Sequence, residues 1–94
     1  HPKEKVLGVT LDGISKAYPF IKLREYGKQC FTDDIAGQII RIEWDDANNS
    51  AWITNTQGEP MNSLTSFWFA WFTFHPKTQI FEYVDNANLE ACGR

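Results

Sequence analysis

The sequence has little positive charge and no long apolar run. Nine Lys and Arg stand against twelve Asp and Glu, which gives a formal net charge of −3. The nearest thing to a basic cluster, Lys22, Arg24 and Lys28, is too small to neutralise a nucleic-acid backbone. The longest apolar run spans residues 67–72, whereas a transmembrane helix needs about 20 apolar residues. We therefore expect a soluble domain with no transmembrane segment, which binds neither nucleic acid nor an anionic membrane.

Cysteine is also scarce. Cys30 and Cys92 are the two cysteines, and their spacing matches no zinc or redox motif. They can pair only if the C-terminal tail folds back in an oxidising compartment. The sequence leaves this open and favours two unpaired thiols, and it predicts neither a metal nor another cofactor.

Aromatic residues, in contrast, are abundant. The chain has seven Phe, four Trp and three Tyr, and 43% of its 94 residues are hydrophobic. Each buried ring removes about 150–250 Å² from water. This is enough apolar material for one domain over residues 1–94 with most rings inside. We expect the chain to be a piece of a longer or processed protein, since it opens on His1, and residues 85–94 to form a frayed tail.

Local signals predict the first three elements. A β-branched and aliphatic strand over residues 6–11 precedes Asp12-Gly13, which is typical of a type I′ hairpin turn. Residues 14–18 form the return strand of this hairpin. Residues 19–26 are predicted to be a short helix, with Pro19 in its first turn and Gly27 at its C-terminal cap.

The middle of the chain predicts a second hairpin. A brief strand over residues 29–32 is followed by a turn over residues 33–37. Residues 38–44 alternate, with Ile40, Ile42 and Trp44 on one face and Ile39, Arg41 and Glu43 on the other. A turn over residues 45–49 leads to a return strand over residues 51–54.

The aromatic run before Pro76 admits two interpretations. As a strand it would be apolar on both faces and fully buried. As a helix over residues 64–75 it would carry one stripe of Leu64, Phe67, Trp71 and Phe74, and would end before Pro76. Core packing is expected in either case. Residues 78–84 are predicted to form a last strand.

His75, Asp33 and Asp34 are the candidates for a polar site. A lone histidine beside an aromatic run is more often a hydrogen-bonded structural residue than a base or a ligand. Adjacent acidic residues in a turn more often bond to nearby backbone than bind calcium. A catalytic or metal site would require the fold to bring His75 and these carboxylates together.

Trp44 and Trp52 are the candidates for an aromatic binding platform. Both lie in the second predicted hairpin, and exposed rings on a sheet suit a carbohydrate or peptide ligand. With core packing as the alternative, these two tryptophans are the ones we expect to remain partly exposed.

Three phrases, taken in order, resemble the bacterial domain-of-unknown-function family numbered 3179. They are Ala-Tyr-Pro at 17–19, Thr-Asp-Asp-Ile-Ala-Gly at 32–37 and His-Pro-Lys-Thr at 75–78. The family's central cysteine-containing segment is replaced by residues 42–46, which have no cysteine, and its long β-rich insert is absent. The resemblance implies a bacterial exported or envelope protein, a helical aromatic segment and no assigned activity.

These observations predict an α+β domain. We expect a small antiparallel sheet of four to five strands with short helices near residues 19–26 and 64–75. No pair of groups lies at the spacing of an acid–base or nucleophilic motif, so the favoured hypothesis is a non-catalytic binding or scaffold module that contacts other domains of a parent protein. The alternatives are an enzyme or metal-binding domain built around His75 and nearby Asp residues, and a structural unit that self-associates through an edge strand.

Overall fold

The computed structural model describes residues 3–82 and 92. The strands and helices run, in chain order, β1 (Lys5–Leu11), β2 (Ile14–Pro19), α1 (Phe20–Tyr26), β3 (Cys30–Ile35), β4 (Gln38–Asp45), β5 (Ser50–Thr54), β6 (Pro60–Met61), β7 (Leu64–Phe67), α2 (Trp68–Phe74) and β8 (Gln79–Ile80). The predicted α+β class is confirmed. The strands form two four-stranded sheets, however, where the sequence predicted one.

The first sheet has the strand order β7-β1-β2-β8. The predicted hairpin of β1 and β2 is confirmed: Asp12 and Gly13 have φ angles of 49° and 79°, as a type I′ turn requires. β7 pairs antiparallel with the other edge of β1, and β8 pairs parallel with β2. The last strand is shorter than predicted, because only Gln79–Ile80 is paired, and residues 83–84 lie outside the described residues.

The second sheet has the strand order β3-β4-β5-β6 and is antiparallel throughout. The turn predicted over residues 33–37 is too long. Asp33 and Asp34 belong to β3, where they pair with Ile40 and Ile39, so the turn before β4 contains only residues 36–37. Pairing with the apolar strand β4 outweighs the preference of aspartate for turns.

The main core lies between the inner faces of the two sheets. β4 alternates as predicted, with Ile40, Ile42 and Trp44 buried. β1 and β2 contribute their own inner-face side chains, and α1 inserts Phe20 and Leu23. The prediction of helix α1 is confirmed, and so is its C-terminal cap. Gly27 adopts a φ of 77°, and the Gly27 N–H donates to the Leu23 carbonyl at 3.1 Å.

Aromatic rings fill the centre of this core. Phe31 stacks on Phe81 with ring centroids 5.1 Å apart, and Tyr26 meets the Phe31 ring edge-on at 5.0 Å. Tyr18 packs against Phe81 at 5.4 Å. Offset and edge-to-face pairs of this kind add about 0.5–1.5 kcal/mol each to the burial of their area.

The aromatic run is both a strand and a helix. Residues 64–67 pair with β1, and the Trp68 N–H donates to the Glu4 carbonyl at 2.7 Å, so the helix predicted over 64–75 starts only at Trp68. It ends before Pro76, as predicted. α2 covers the outer face of the first sheet, with Trp71 packed in a small cluster with Val6 and Ala17.

Cys30 and Cys92 form a disulfide, so the expectation of two free thiols was wrong. Their Cα atoms are 5.2 Å apart, and the Cys92 N–H donates to the Cys30 carbonyl at 3.0 Å. The chain therefore returns to β3 at Cys92, a long-range contact that sequence spacing does not reveal. Apart from Cys92, the tail predicted over residues 85–94 lies outside the described residues.

Candidate functional site

His75 lies at the C-terminal end of α2, against the β1–β2 hairpin. Its ring lies against that of Trp71 with centroids 3.9 Å apart and the planes tilted by 31°, and its Nδ1 lies 3.1 Å from the Ser15 hydroxyl. The Ser15 hydroxyl lies 2.8 Å from that of Thr10. A hydroxyl–imidazole contact is the starting geometry for activating a nucleophile, but the described partners of His75 include no carboxylate to orient the ring. The contacts join the end of α2 to the first sheet.

Asp33 is bonded elsewhere, at the boundary between the two sheets. Its Oδ2 accepts hydrogen bonds from Lys16 Nζ at 2.7 Å and from the Tyr18 hydroxyl at 2.6 Å. Asp34 points to the opposite face and is exposed, and its N–H donates to Asp33 Oδ1 at 2.8 Å. The structure thus separates these two carboxylates and places one of them in a largely buried ion pair with a tyrosine. The sequence held one signal for this arrangement. Lys16 and Tyr18 lie two residues apart on one strand, so their side chains point to the same face.

The buried phenol of Tyr18 makes stability depend on alkaline pH. Burial, and then the charge and hydrogen bond of Asp33, raise the pKa of Tyr18 well above its usual 10.0. Below about pH 10 the unfolded chain also holds the Tyr18 proton, so the contribution of Tyr18 to the free energy of unfolding is complete. At higher pH this contribution falls by about 1.4 kcal/mol per pH unit, because only the unfolded chain loses the proton. Urea unfolding at about pH 8 and about pH 11 is expected to show this loss.

The matched variant for this prediction is Tyr18→Phe. It removes a hydrogen bond to a charged group and is expected to cost about 1.5–3 kcal/mol at neutral pH. Its decline above pH 10 should be shallower than that of the wild type, since the titrating group is gone. Parallel declines in the two proteins would contradict the assignment to Tyr18.

The two tryptophans predicted to be exposed lie on opposite faces of the second sheet. Trp44 is 4% exposed and packs edge-on against Phe20 with centroids 5.2 Å apart, so the expectation of exposure was wrong for it. Trp52 is 43% exposed, as predicted. The reason is register, because Trp44 pairs with Ala51 on the inner face and Trp52 with Glu43 on the outer face.

An open cleft lies beside Trp52. Its volume is about 530 Å³, and it is lined by Gln29, Glu43, Trp44, Asp45, Asp46, Ala47 and Trp52. Two of its carboxylates already have partners: Asp45 accepts from the Asn48 amide at 2.7 Å, and Asp46 accepts from Arg24 at 3.1 Å. Hydrogen bonds from Asn48 lower the pKa of Asp45. The carboxylates of Asp45 and Asp46 therefore support the turn that forms one wall of the cleft.

Glu43 is a buried carboxylate on the face of β4 opposite Ile40, Ile42 and Trp44, where the sequence placed it. Its side chain is almost fully buried, and its Oε2 accepts a hydrogen bond from the Thr54 hydroxyl at 3.1 Å. Cys30 Sγ lies 3.5 Å from the same oxygen, a contact without a donated proton because that sulfur is in the disulfide. Alternation alone places Glu43 on the face opposite Ile42 and Trp44, but it does not indicate whether that face is covered.

A group of exposed apolar side chains surrounds β7 and α2, against the expectation of core packing. We call the following set the aromatic surface: Leu64, Phe67, Phe69, Phe72 and Phe74. Their exposed fractions range from 46% to 79%. Trp71 alone is buried within α2, because the helix rests on the sheet by one side only.

The aromatic surface lies in an uncharged part of the sequence. Residues 60–76 contain no Asp, Glu, Lys or Arg. Isolated exposed apolar residues are normal, whereas five within one short uncharged segment favour a contact surface. The sequence shows that residues 60–76 are uncharged and rich in aromatic residues, but it does not show which of these rings face outward.

The described residues contain neither a membrane-spanning helix nor a cluster of metal ligands. Neither of their seven-residue helices could cross a membrane, and residues 3–82 and 92 contain no group of three or more His, Cys, Asp or Glu side chains that could hold a metal ion. No protein-family model, curated protein or solved structure matches this chain.

Proposed function

We propose that this domain is a non-catalytic binding or scaffold module that docks onto another protein through the aromatic surface. The observation that carries the proposal is the exposure of four phenylalanines and a leucine around β7 and α2. Leaving such rings in water forgoes about 25 cal/mol for each Å² of apolar area. A partner that covers them recovers this free energy, and it needs an apolar, uncharged surface to do so because residues 60–76 offer no charge to pair.

The disulfide supports an exported or envelope location for this module. Disulfides persist in oxidising compartments and are rare in the cytosol, and Cys30 is bonded to Cys92. A bacterial origin in the family numbered 3179 remains a proposal that rests on the sequence resemblance. In such a location the partner surface would belong to a second copy of this chain, a further domain of the parent protein or a neighbouring envelope protein.

Site-specific cross-linking tests the docking role. We expect a photoreactive amino acid at position 69 or 74, introduced in the cells that make the protein, to form one defined adduct with another protein surface. The control is position 39, since Ile39 is an exposed apolar residue on the second sheet. Equal adducts from positions 39 and 74, or none from 69 and 74, would contradict the proposal.

Stability measurements test whether the same rings are free to serve a partner. Phe69→Ser and Phe74→Ser are each expected to change the free energy of unfolding by no more than about 0.5 kcal/mol, as is usual for surface positions. Phe31→Ala, in the core, should cost about 3–5 kcal/mol. Losses of the core magnitude at 69 or 74 would show that these rings stabilise the fold and are not a docking surface.

A further inference from the structure

The hydrogen-bonding pattern of β7 identifies which of its groups face the open edge. The Trp68 N–H donates to the Glu4 carbonyl, so this position of the antiparallel ladder is a hydrogen-bonded pair. Such pairs alternate every two residues. Ser66 and Leu64 therefore bond toward β1, and the N–H and C=O groups of Thr65 and Phe67 point away from it.

The β7 edge is short, but its described residues carry no charge, proline or bulge against strand pairing. Native edge strands are blunted by charged side chains, proline or bulges, and β7 has none of these along its four residues. The β3 edge of the second sheet, in contrast, carries Asp33 and Asp34. Of these two edges, β7 is the one whose described residues place no charge against a further strand.

We infer that β7 pairs antiparallel with β7 of a second copy of this chain, with Ser66 on the two-fold axis. This inference rests on the proposed function and names the occupant of its surface. In this register Thr65 of each copy stands opposite Phe67 of the other, and both residues have outward-facing groups. The two pairs exchange four backbone hydrogen bonds, and the Thr65 N–H takes the place of Ser66 Oγ, which donates to the Phe67 carbonyl at 3.2 Å in the single copy.

The side chains of β7 suit this arrangement on both faces of the extended sheet. Leu64 pairs with Gly8 on the outer face, beside α2, and Phe67 pairs with Lys5 on the inner face. Each copy therefore offers apolar area above and below the joined strands. No like charges meet at the junction, even though each copy has a net charge of −3, because residues 60–76 are uncharged.

The available area predicts a weak dimer. With about 200 Å² for a fully exposed ring, the exposed fractions of the aromatic surface leave roughly 500 Å² of apolar area on each copy. The total of roughly 1,000 Å² is at the lower limit for a specific interface. We therefore expect a weak, reversible dimer.

Sedimentation velocity over a concentration series from about 1 μM to about 1 mM tests the inference, with Thr65→Pro as the decisive variant. Proline removes the outward N–H of residue 65 and leaves the bonds between β7 and β1 intact. We expect the wild type and Thr65→Ala to dimerise, and Thr65→Pro to weaken dimerisation at least tenfold with an unchanged circular dichroism spectrum.

A second pair of variants is independent of proline. Phe67→Lys places a charge at the junction, and Ile39→Lys is its control, since both residues are 46% exposed. We expect only Phe67→Lys to be monomeric. A wild type that remains monomeric throughout the series, or a dimer that survives both Thr65→Pro and Phe67→Lys, would overturn the inference.

The two proposals fail in distinguishable ways. If the wild type does not dimerise but position 74 still cross-links to a different protein, the inference of a second copy is overturned and the docking role stands. If the edge variants abolish the dimer and the adduct at position 74 joins two copies of this chain, both proposals are supported.

Discussion

Removing the Cys30–Cys92 disulfide is expected to lower the free energy of unfolding by about 4 kcal/mol. The bond joins residues 62 positions apart, and closing a loop of that length restricts the unfolded chain by an amount worth about 4 kcal/mol in the chain-entropy model. A small domain has about 5–15 kcal/mol in total, so this loss is a large part of its stability. Urea unfolding of the oxidised and reduced protein measures it.

The double variant Cys30→Ala/Cys92→Ala separates the bond from the reducing agent. Its stability should equal that of the reduced wild type and should not respond to reductant. Because Cys30 Sγ lies beside the Glu43 carboxylate, Cys30→Ser/Cys92→Ala should be more stable than the alanine pair by about 1.5–3 kcal/mol, through a hydroxyl bond to a charged group. Equal stability of oxidised and reduced protein would contradict the expected role of the bond.

Gly8→Ala is expected to destabilise the protein by about 3 kcal/mol, although alanine normally improves a strand. Replacing glycine inside a strand usually gains about 0.5–1 kcal/mol. Here a Cβ on Gly8 would stand 2.3–2.6 Å from ring atoms of Trp71, far inside contact distance. The ring has little freedom to move, since its Nε1 donates to the Thr78 hydroxyl at 2.9 Å and the His75 ring lies against it. Overpacking of this kind costs about 1–3 kcal/mol or more.

Two further variants test whether the destabilisation by Gly8→Ala comes from the contact with Trp71. Gly13→Ala, in the hairpin turn with open space around it and a φ of 79°, is expected to cost only about 1–2 kcal/mol. In a double-mutant cycle with Trp71→Leu, the loss from Gly8→Ala should largely disappear, because the ring it meets is gone. Tryptophan fluorescence and urea unfolding provide both readouts. Additive losses in the cycle would show that α2 does not pack on β1 through this contact.

The sequence predicted the local elements better than the candidate site. The Asp12-Gly13 turn and the alternation of Ile40, Ile42 and Trp44 follow from φ preferences and from a two-residue period, both properties of neighbouring residues. His75 and Asp33 were selected for their chemistry alone. Their partners, the Ser15 hydroxyl and Tyr18, are set by which strands come together.

The aromatic run over residues 64–75 shows why the other features of the structure could not be predicted from the sequence. Both a strand and a helix were consistent with residues 64–75, and the structure contains each in turn because β1 offers a partner only as far as Phe67. Hydrophobicity predicted that these rings would be buried. A seven-residue helix lying on one sheet can bury only the side that faces the sheet, and in α2 that side is occupied by Trp71 and part of Trp68.

The amino-acid sequence by itself determined the turns, the short helix α1 and the strands that alternate, because each depends on backbone angles and spacings within a few residues. The tertiary structure decided how the strands divide into two sheets, that Cys92 reaches Cys30, that Asp33 pairs with Lys16 and Tyr18, that Glu43 is buried, and that the aromatic surface faces outward. These outcomes depend on which distant segment covers which face, and no local pattern carries that information.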